Sequence, residues 1–116
     1  MYDNDKLSEL GVDIEDGLKR FMGKQSIFEK MLKKLPKAFE DNKVMPYFES
    51  NDLAKALEKA HTLKGVTGNL SALKLYEAYS EIVALLRANE PDKAKELLEE
   101  TIPMQEKLIA YLKENE

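Results

Sequence analysis

The sequence predicts an all-α fold, an up-and-down four-helix bundle with a short extra helix at its N-terminus. Three observations carry that expectation. Apolar residues recur at i, i+3, i+4 and i+7 along the chain, and no segment alternates with the two-residue period of a strand. Good helix formers (Leu, Lys, Glu, Ala) are abundant, while only 5 Gly and 4 Pro interrupt them. The connections between the long amphipathic stretches are short, which makes neighbouring helices antiparallel. With 116 residues, the chain has the length of one domain, taken as 1–116.

The first element, "VDIEDGLKRFMG" (residues 12–23), reads as a short helix. Asp13 is its expected N-cap, with Asp16 at the third helical position and Gly23 as the stop. "SIFEKMLKKLPKAFEDN" (26–42) opens with a capping-box pattern at Ser26 and Glu29. Its stripe of Ile27/Phe28, Met31/Leu32, Leu35 and Ala38/Phe39 keeps phase across Pro36. The expectation there is one bent helix, not two. "KVMPYFESND" (43–52) is a connector with a helical turn near Tyr47, and Ser50 to Asp52 offer caps for the next helix.

That helix carries the single histidine. After it, "SALKLYEAYSEIVALLRA" (71–88) presents the stripe Ala72, Leu75/Tyr76, Tyr79, Ile82/Val83 and Leu86. "NEPDKAKELLEETIPMQEKLIAYLKE" (89–114) is the last. Pro91 falls where a first-turn proline is tolerated. Its stripe runs Ala94, Leu97/Leu98, Thr101, Met104, Leu108 and Tyr111/Leu112, in phase past Pro103, where a kink is expected.

Composition narrows the function classes. A net charge of −4 gives no electrostatic reason to expect nucleic acid as a partner. The densest basic stretch, "KMLKKLPK" (30–37), reads as a solvated helix face. With no cysteine, disulfides and thiolate chemistry are excluded. "MYDNDKLSEL" has no basic segment followed by an apolar run, and no apolar run approaches the roughly 20 residues that cross a bilayer. The expected location is the cytoplasm, with no membrane contact.

The candidate site lies in "AHTLKGVTGNL" (60–70). A glycine inside a helix costs about 1 kcal/mol relative to alanine, yet two follow His61, at i+4 and i+7. At about 100° per residue, Leu53, Ala56, Leu57, Ala60, Leu63, Thr67 and Leu70 share one apolar arc, the core face. His61 lies on the order of 120° from its middle, and Gly65 and Gly68 fall within about 40° of His61. The glycines therefore strip side chains from a patch beside the imidazole, and Lys64 adds a positive charge to the same side. A nucleophilic ring, a cation and a cleared surface suit transfer of a dianionic phosphoryl group, in which positioning and charge neutralisation do most of the work.

Two plainer roles compete. The glycines, Gly68 above all because it lies nearer the core edge, could instead allow close packing against a neighbouring helix. Glu58 and His61 have the Glu-x-x-His spacing of di-iron bundles. Such sites need a second motif of that kind, and there is no second histidine. No metal is expected. No Gly-rich phosphate loop precedes a helix, so nucleotide binding is not expected either.

"AHTLKGVTGNLSA" resembles the signature of the histidine-containing phosphotransfer (HPt) domains of two-component phosphorelays, His-x-Leu-Lys-Gly followed by small residues and an apolar position. "LGVDIEDGLKRFMG" is similar to the opening of such domains, so the resemblance covers about residues 10–116. It implies that His61 accepts a phosphoryl group from a receiver-domain aspartate and passes it to another receiver. Lys64 would then neutralise phosphoryl charge, and Gly65 and Gly68 would clear the docking surface. It also implies response-regulator receiver domains or a hybrid histidine kinase as partners. The chain would be a monomeric carrier without ATP-dependent kinase activity that binds no cofactor, the Mg²⁺ being the receiver's. Many members carry glycine where this chain has Ser71, a difference expected to alter the turn and not the chemistry. Met22, Phe21 and Ile14 are further docking candidates. The alternatives are a receiver-binding module without covalent chemistry, or a phosphotransfer domain excised from a larger hybrid or chemotaxis-type kinase.

Overall fold

The computed structural model describes residues 2–115, and among them all regular structure is helical. Eight segments follow one another: α1 (Asn4–Glu9), α2 (Ile14–Arg20), α3 (Gln25–Leu32), α4 (Leu35–Asp41), α5 (Met45–Glu49), α6 (Leu53–Asn69), α7 (Leu73–Arg87) and α8 (Pro91–Glu114). The three long helices pack in chain order, α6 along α7 and α7 along α8. Both α4 and α5 reach α6 and α8, while α1 meets α2 and α2 meets α3. At 1.5 Å per residue, α8 alone spans about 36 Å, which accounts for the longest dimension of 41 Å against 25 and 21 Å.

The predicted stripes make the core. Leu32, Leu35, Leu63, Leu75, Tyr79, Ile82, Leu98, Leu108 and Leu112 are fully buried, each contributing about 1.5–3 kcal/mol of transfer free energy. On α6, Ala56, Ala60, Leu63 and Thr67 are buried as the helical wheel requires, and the Thr67 hydroxyl donates back to the Leu63 carbonyl at 2.7 Å. The lysines of residues 30–37 are all exposed while Leu32 and Leu35 are buried between them.

Several local expectations change. The stretch 26–42 is two helices instead of one bent helix, broken at Lys33 and Lys34. Pro36 sits in the first turn of α4, has no N–H to return to Leu32, and its ring would clash with that carbonyl in a continuous helix. The Lys34 amide tightens instead onto Met31 at 3.0 Å. The Ser26–Glu29 capping box does not form, because α3 begins two residues earlier than that box requires, with Lys24 at the N-cap position. Glu29 is instead buried, accepting the Tyr2 amide at 2.8 Å and a Gln25 amide proton at 3.1 Å. Ile27 leaves the predicted stripe and is 41% exposed. Pro103 lies inside α8 without dividing it. It is exposed, so the carbonyl it leaves unpaired faces water. Helix α1, capped by the Asp3 carboxylate, is additional to the predicted set.

The remaining caps follow the sequence. Asp13 accepts the Asp16 amide at 2.9 Å, and Asp52 accepts that of Lys55 at 3.1 Å. Gly23, at φ +75°, closes the end of α2 by donating its amide to Leu18 at 2.7 Å.

Candidate functional site around His61

Helix α6 holds His61 in its middle, with the ring exposed and the buried Ala60 and Leu63 on either side anchoring the register. Lys64 is half-buried and takes part in no ion pair among the described residues. A Cβ built on Gly65 meets nothing within 4 Å, so the backbone beside the histidine is open. Gly68 behaves differently. A Cβ there would come within 2.9 Å of the Tyr76 ring, so its missing side chain admits an aromatic from α7, the packing role left open for it.

His61, Lys64, Gly65 and Gly68 line one open pocket of about 350 Å³, together with Asn69 at the end of α6. The other lining residues come from elsewhere: Leu73 and Tyr76 from α7, and Arg20 from α2. All four residues singled out in the sequence thus meet at one place. Glu58, the other half of the possible metal motif, is in an exposed ion pair with Lys55 at 3.5 Å. No cluster of three His, Cys, Asp or Glu residues able to hold a metal exists among the described residues.

Arg20, Leu73, Asn69 and Tyr76 were missed. Asn69 lies on α6 itself, within reach of its helical wheel, whereas Leu73 and Tyr76 are added by α7, which the wheel of a single helix omits. Arg20 depends on tertiary structure. The turn after α6 is a Schellman motif, in which the Ala72 amide reaches Thr67 at 2.9 Å and the Ser71 amide reaches Gly68 at 3.2 Å. Ser71 occupies its left-handed position at φ +58°, where glycine is usual. The turn a glycine would make is therefore kept, and the side chain is put to use.

Ser71 is fully buried. Its hydroxyl donates to the Asp16 carboxylate at 2.7 Å, and its carbonyl accepts the Asp13 amide at 2.8 Å. Beside it, the Lys74 amide donates to the Gly11 carbonyl at 3.3 Å. Gly11 has φ +94°, and a Cβ there would fall 2.8 Å from that of Lys74. These contacts hang α2 on the α6–α7 turn. Asp16 also accepts the Arg20 Nε–H at 2.8 Å, and these bonds, that to Arg20 first and that to Ser71 second, hold its carboxyl below the usual carboxylate range. Of the other docking candidates, Met22 is 85% exposed, Phe21 stacks on Phe28 with ring centroids 5.7 Å apart, and Ile14 is half-buried. None of the three lines the pocket.

No helix of the described residues is long and apolar enough to cross a membrane. Compared with known protein families, with curated proteins and with solved structures, the chain finds no match.

Proposed function

We propose that this chain is a phosphorelay intermediate of the HPt type, accepting a phosphoryl group on His61 from a receiver-domain aspartate and passing it to another receiver. The observation that carries the proposal is the exposed imidazole standing beside the unpaired ammonium of Lys64, over the open backbone of Gly65. The packing of α6, α7 and α8, with α3 and α4 together as a fourth member and α1–α2 as the N-terminal addition, fits an up-and-down four-helix bundle.

In the forward step, the lone pair of one ring nitrogen attacks the phosphorus of the aspartyl phosphate. The new N–P bond forms as the acyl P–O bond breaks, and the carboxylate leaves with the electron pair. The second ring nitrogen keeps its proton, so the product ring is cationic until that proton passes to water. Lys64 offsets charge on the phosphoryl oxygens throughout. The reverse path returns the group to the next aspartate, with Mg²⁺ held by the receiver in each case. Such a carrier has no ATP-dependent activity of its own, and it acts as a cytoplasmic monomer.

The test mixes the chain with phosphorylated receiver domains and, separately, with ATP, then locates acid-labile label by mass spectrometry. Label on His61 from the receivers and none from ATP is expected. His61→Gln abolishes it with the helical circular dichroism unchanged; labelling that persists in that variant refutes the site.

A further inference from the structure

Arg20 reaches the histidine pocket from a helix 41 residues upstream of His61, and an exposed arginine at a helix end has no obvious reason to be fixed there. An i,i+4 pair such as Arg20–Asp16 contributes little by itself on an open surface; here its side chains are 44% and 35% exposed. What distinguishes it is the third partner. The same Asp16 oxygen that accepts the Arg20 Nε–H also accepts the hydroxyl of the fully buried Ser71. The ion pair is thereby tied to the turn that ends the histidine helix.

The consequence is a guanidinium oriented before any ligand arrives. Of its five N–H donors, the Nε–H is committed to Asp16, and no other hydrogen bond of Arg20 is found among the described residues. The terminal nitrogens are left without a partner among the described residues, and Arg20 lines the pocket that His61 and Lys64 also line. A planar fork with paired donors matches two oxygens of a phosphoryl group, which the point charge of a lysine does not.

We propose, resting on the phosphotransfer reading of His61, that Arg20 is a second phosphoryl-binding cation of this site, complementary to Lys64, with Asp16 and Ser71 as its positioning residues. Lys64 comes from the histidine's own helix and Arg20 from α2, so the phosphoryl oxygens are gripped from two elements. The Asp16–Ser71 tie removes the rotamer freedom that a free arginine would lose on binding.

The test uses a donor that brings no protein surface. The full chain is treated with potassium phosphoramidate: a ring nitrogen of His61 attacks phosphorus, the donor's P–N bond breaks and ammonia leaves. Phosphohistidine formation and the pH titration of the phosphoryl group are followed by 31P NMR. Arg20→Gln should slow labelling about tenfold, the scale of one charge-assisted hydrogen bond. It should also move the last phosphoryl protonation to higher pH, which a merely structural role would leave in place. Arg20→Lys restores part of both, and Asp16→Asn gives an intermediate rate. Lys19→Gln, which removes the neighbouring cation paired with Glu15 at 3.5 Å, changes neither.

In the wild-type chain, the Arg20 guanidinium N–H resonances should shift on phosphorylation, a readout that needs no variant to fold. An Arg20→Gln protein that labels at the wild-type rate with an unmoved titration overturns the proposal. So does an equal effect of Lys19→Gln, unshifted Arg20 resonances, or failure of His61 to be labelled. Failure of receivers to label wild-type His61, with the phosphoramidate results as expected, overturns the relay and leaves Arg20 as a phosphoryl ligand.

Discussion

A methyl group added to Gly65 meets open space, whereas the same group on Gly68 meets the Tyr76 ring. Gly65→Ala therefore gains helix propensity at no steric cost and should raise stability by about 1 kcal/mol. Gly68→Ala should lower it by about 1–3 kcal/mol through overpacking, and urea unfolding of the two variants measures the difference. Gly65→Leu should leave circular dichroism unchanged while blocking phosphotransfer from a receiver; transfer at the wild-type rate would show that the open patch plays no part. Ser71 has two opposed effects. Its left-handed backbone strains a non-glycine residue, and its hydroxyl offsets that strain by binding Asp16. Ser71→Ala keeps the strain and loses the bond, so it should cost about 1 kcal/mol; Ser71→Gly loses the bond but relieves the strain, and should cost less. The open face at Gly65 was legible in the sequence because a helical wheel needs only residue spacing. It left Gly68 ambiguous because the partner ring belongs to another helix.

At the level of elements, α2 is the segment whose attachment depends on few, identifiable contacts. The Asp16 carboxyl titrates below its ordinary 3.8 in the folded protein because of Arg20 and Ser71. A depressed carboxyl contributes stability that is present above the unfolded pKa and is lost as pH falls through the folded one. The tie of α2 to the α6–α7 turn should therefore hold at neutral pH and loosen only below about pH 4. The Arg20 Nε–H NMR resonance should report that transition, and in Ser71→Ala its midpoint should move up toward 3.8. Under α2, Gly17 has no room for a side chain, since a Cβ would fall 2.3 Å from the Phe28 ring. Gly17→Ala should cost about 1–3 kcal/mol, and in the phosphorylated chain it should weaken the Arg20 resonance shift as well. The caps at Asp13 and Asp52 were legible because they are local. The break between α3 and α4 was not, because apolar phase runs unbroken across Pro36 and only the lost Leu32 hydrogen bond shows where the helix stops. The Glu29 capping role failed for a related reason. Its competitor, the Tyr2 amide, lies 27 residues away.

Across the whole molecule, one tyrosine crosses the core. Tyr79 is fully buried, with its hydroxyl donating to Gln105 on α8, and burial pushes its pKa above the ordinary 10.0. A raised pKa leaves stability untouched below the unfolded value and erodes it as pH climbs beyond. The urea midpoint should fall as pH climbs above about 10, and Tyr79→Phe should flatten that fall. Apart from Ile27 in the short α3, the core stripes were legible because long amphipathic helices announce their buried faces. The pocket was half legible: its α6 residues come from one periodic stretch, while Arg20 arrives only once α2 has docked.

The bare main chain beside His61 has one more consequence. A floor without side chains carries no address, since every polypeptide offers the same amide groups. On the proposed function, the chemistry of the imidazole and the choice of visitor are therefore encoded at separate positions. Substitutions along the margin, at Leu73, would redirect the molecule to new correspondents while its reactivity stayed as it was.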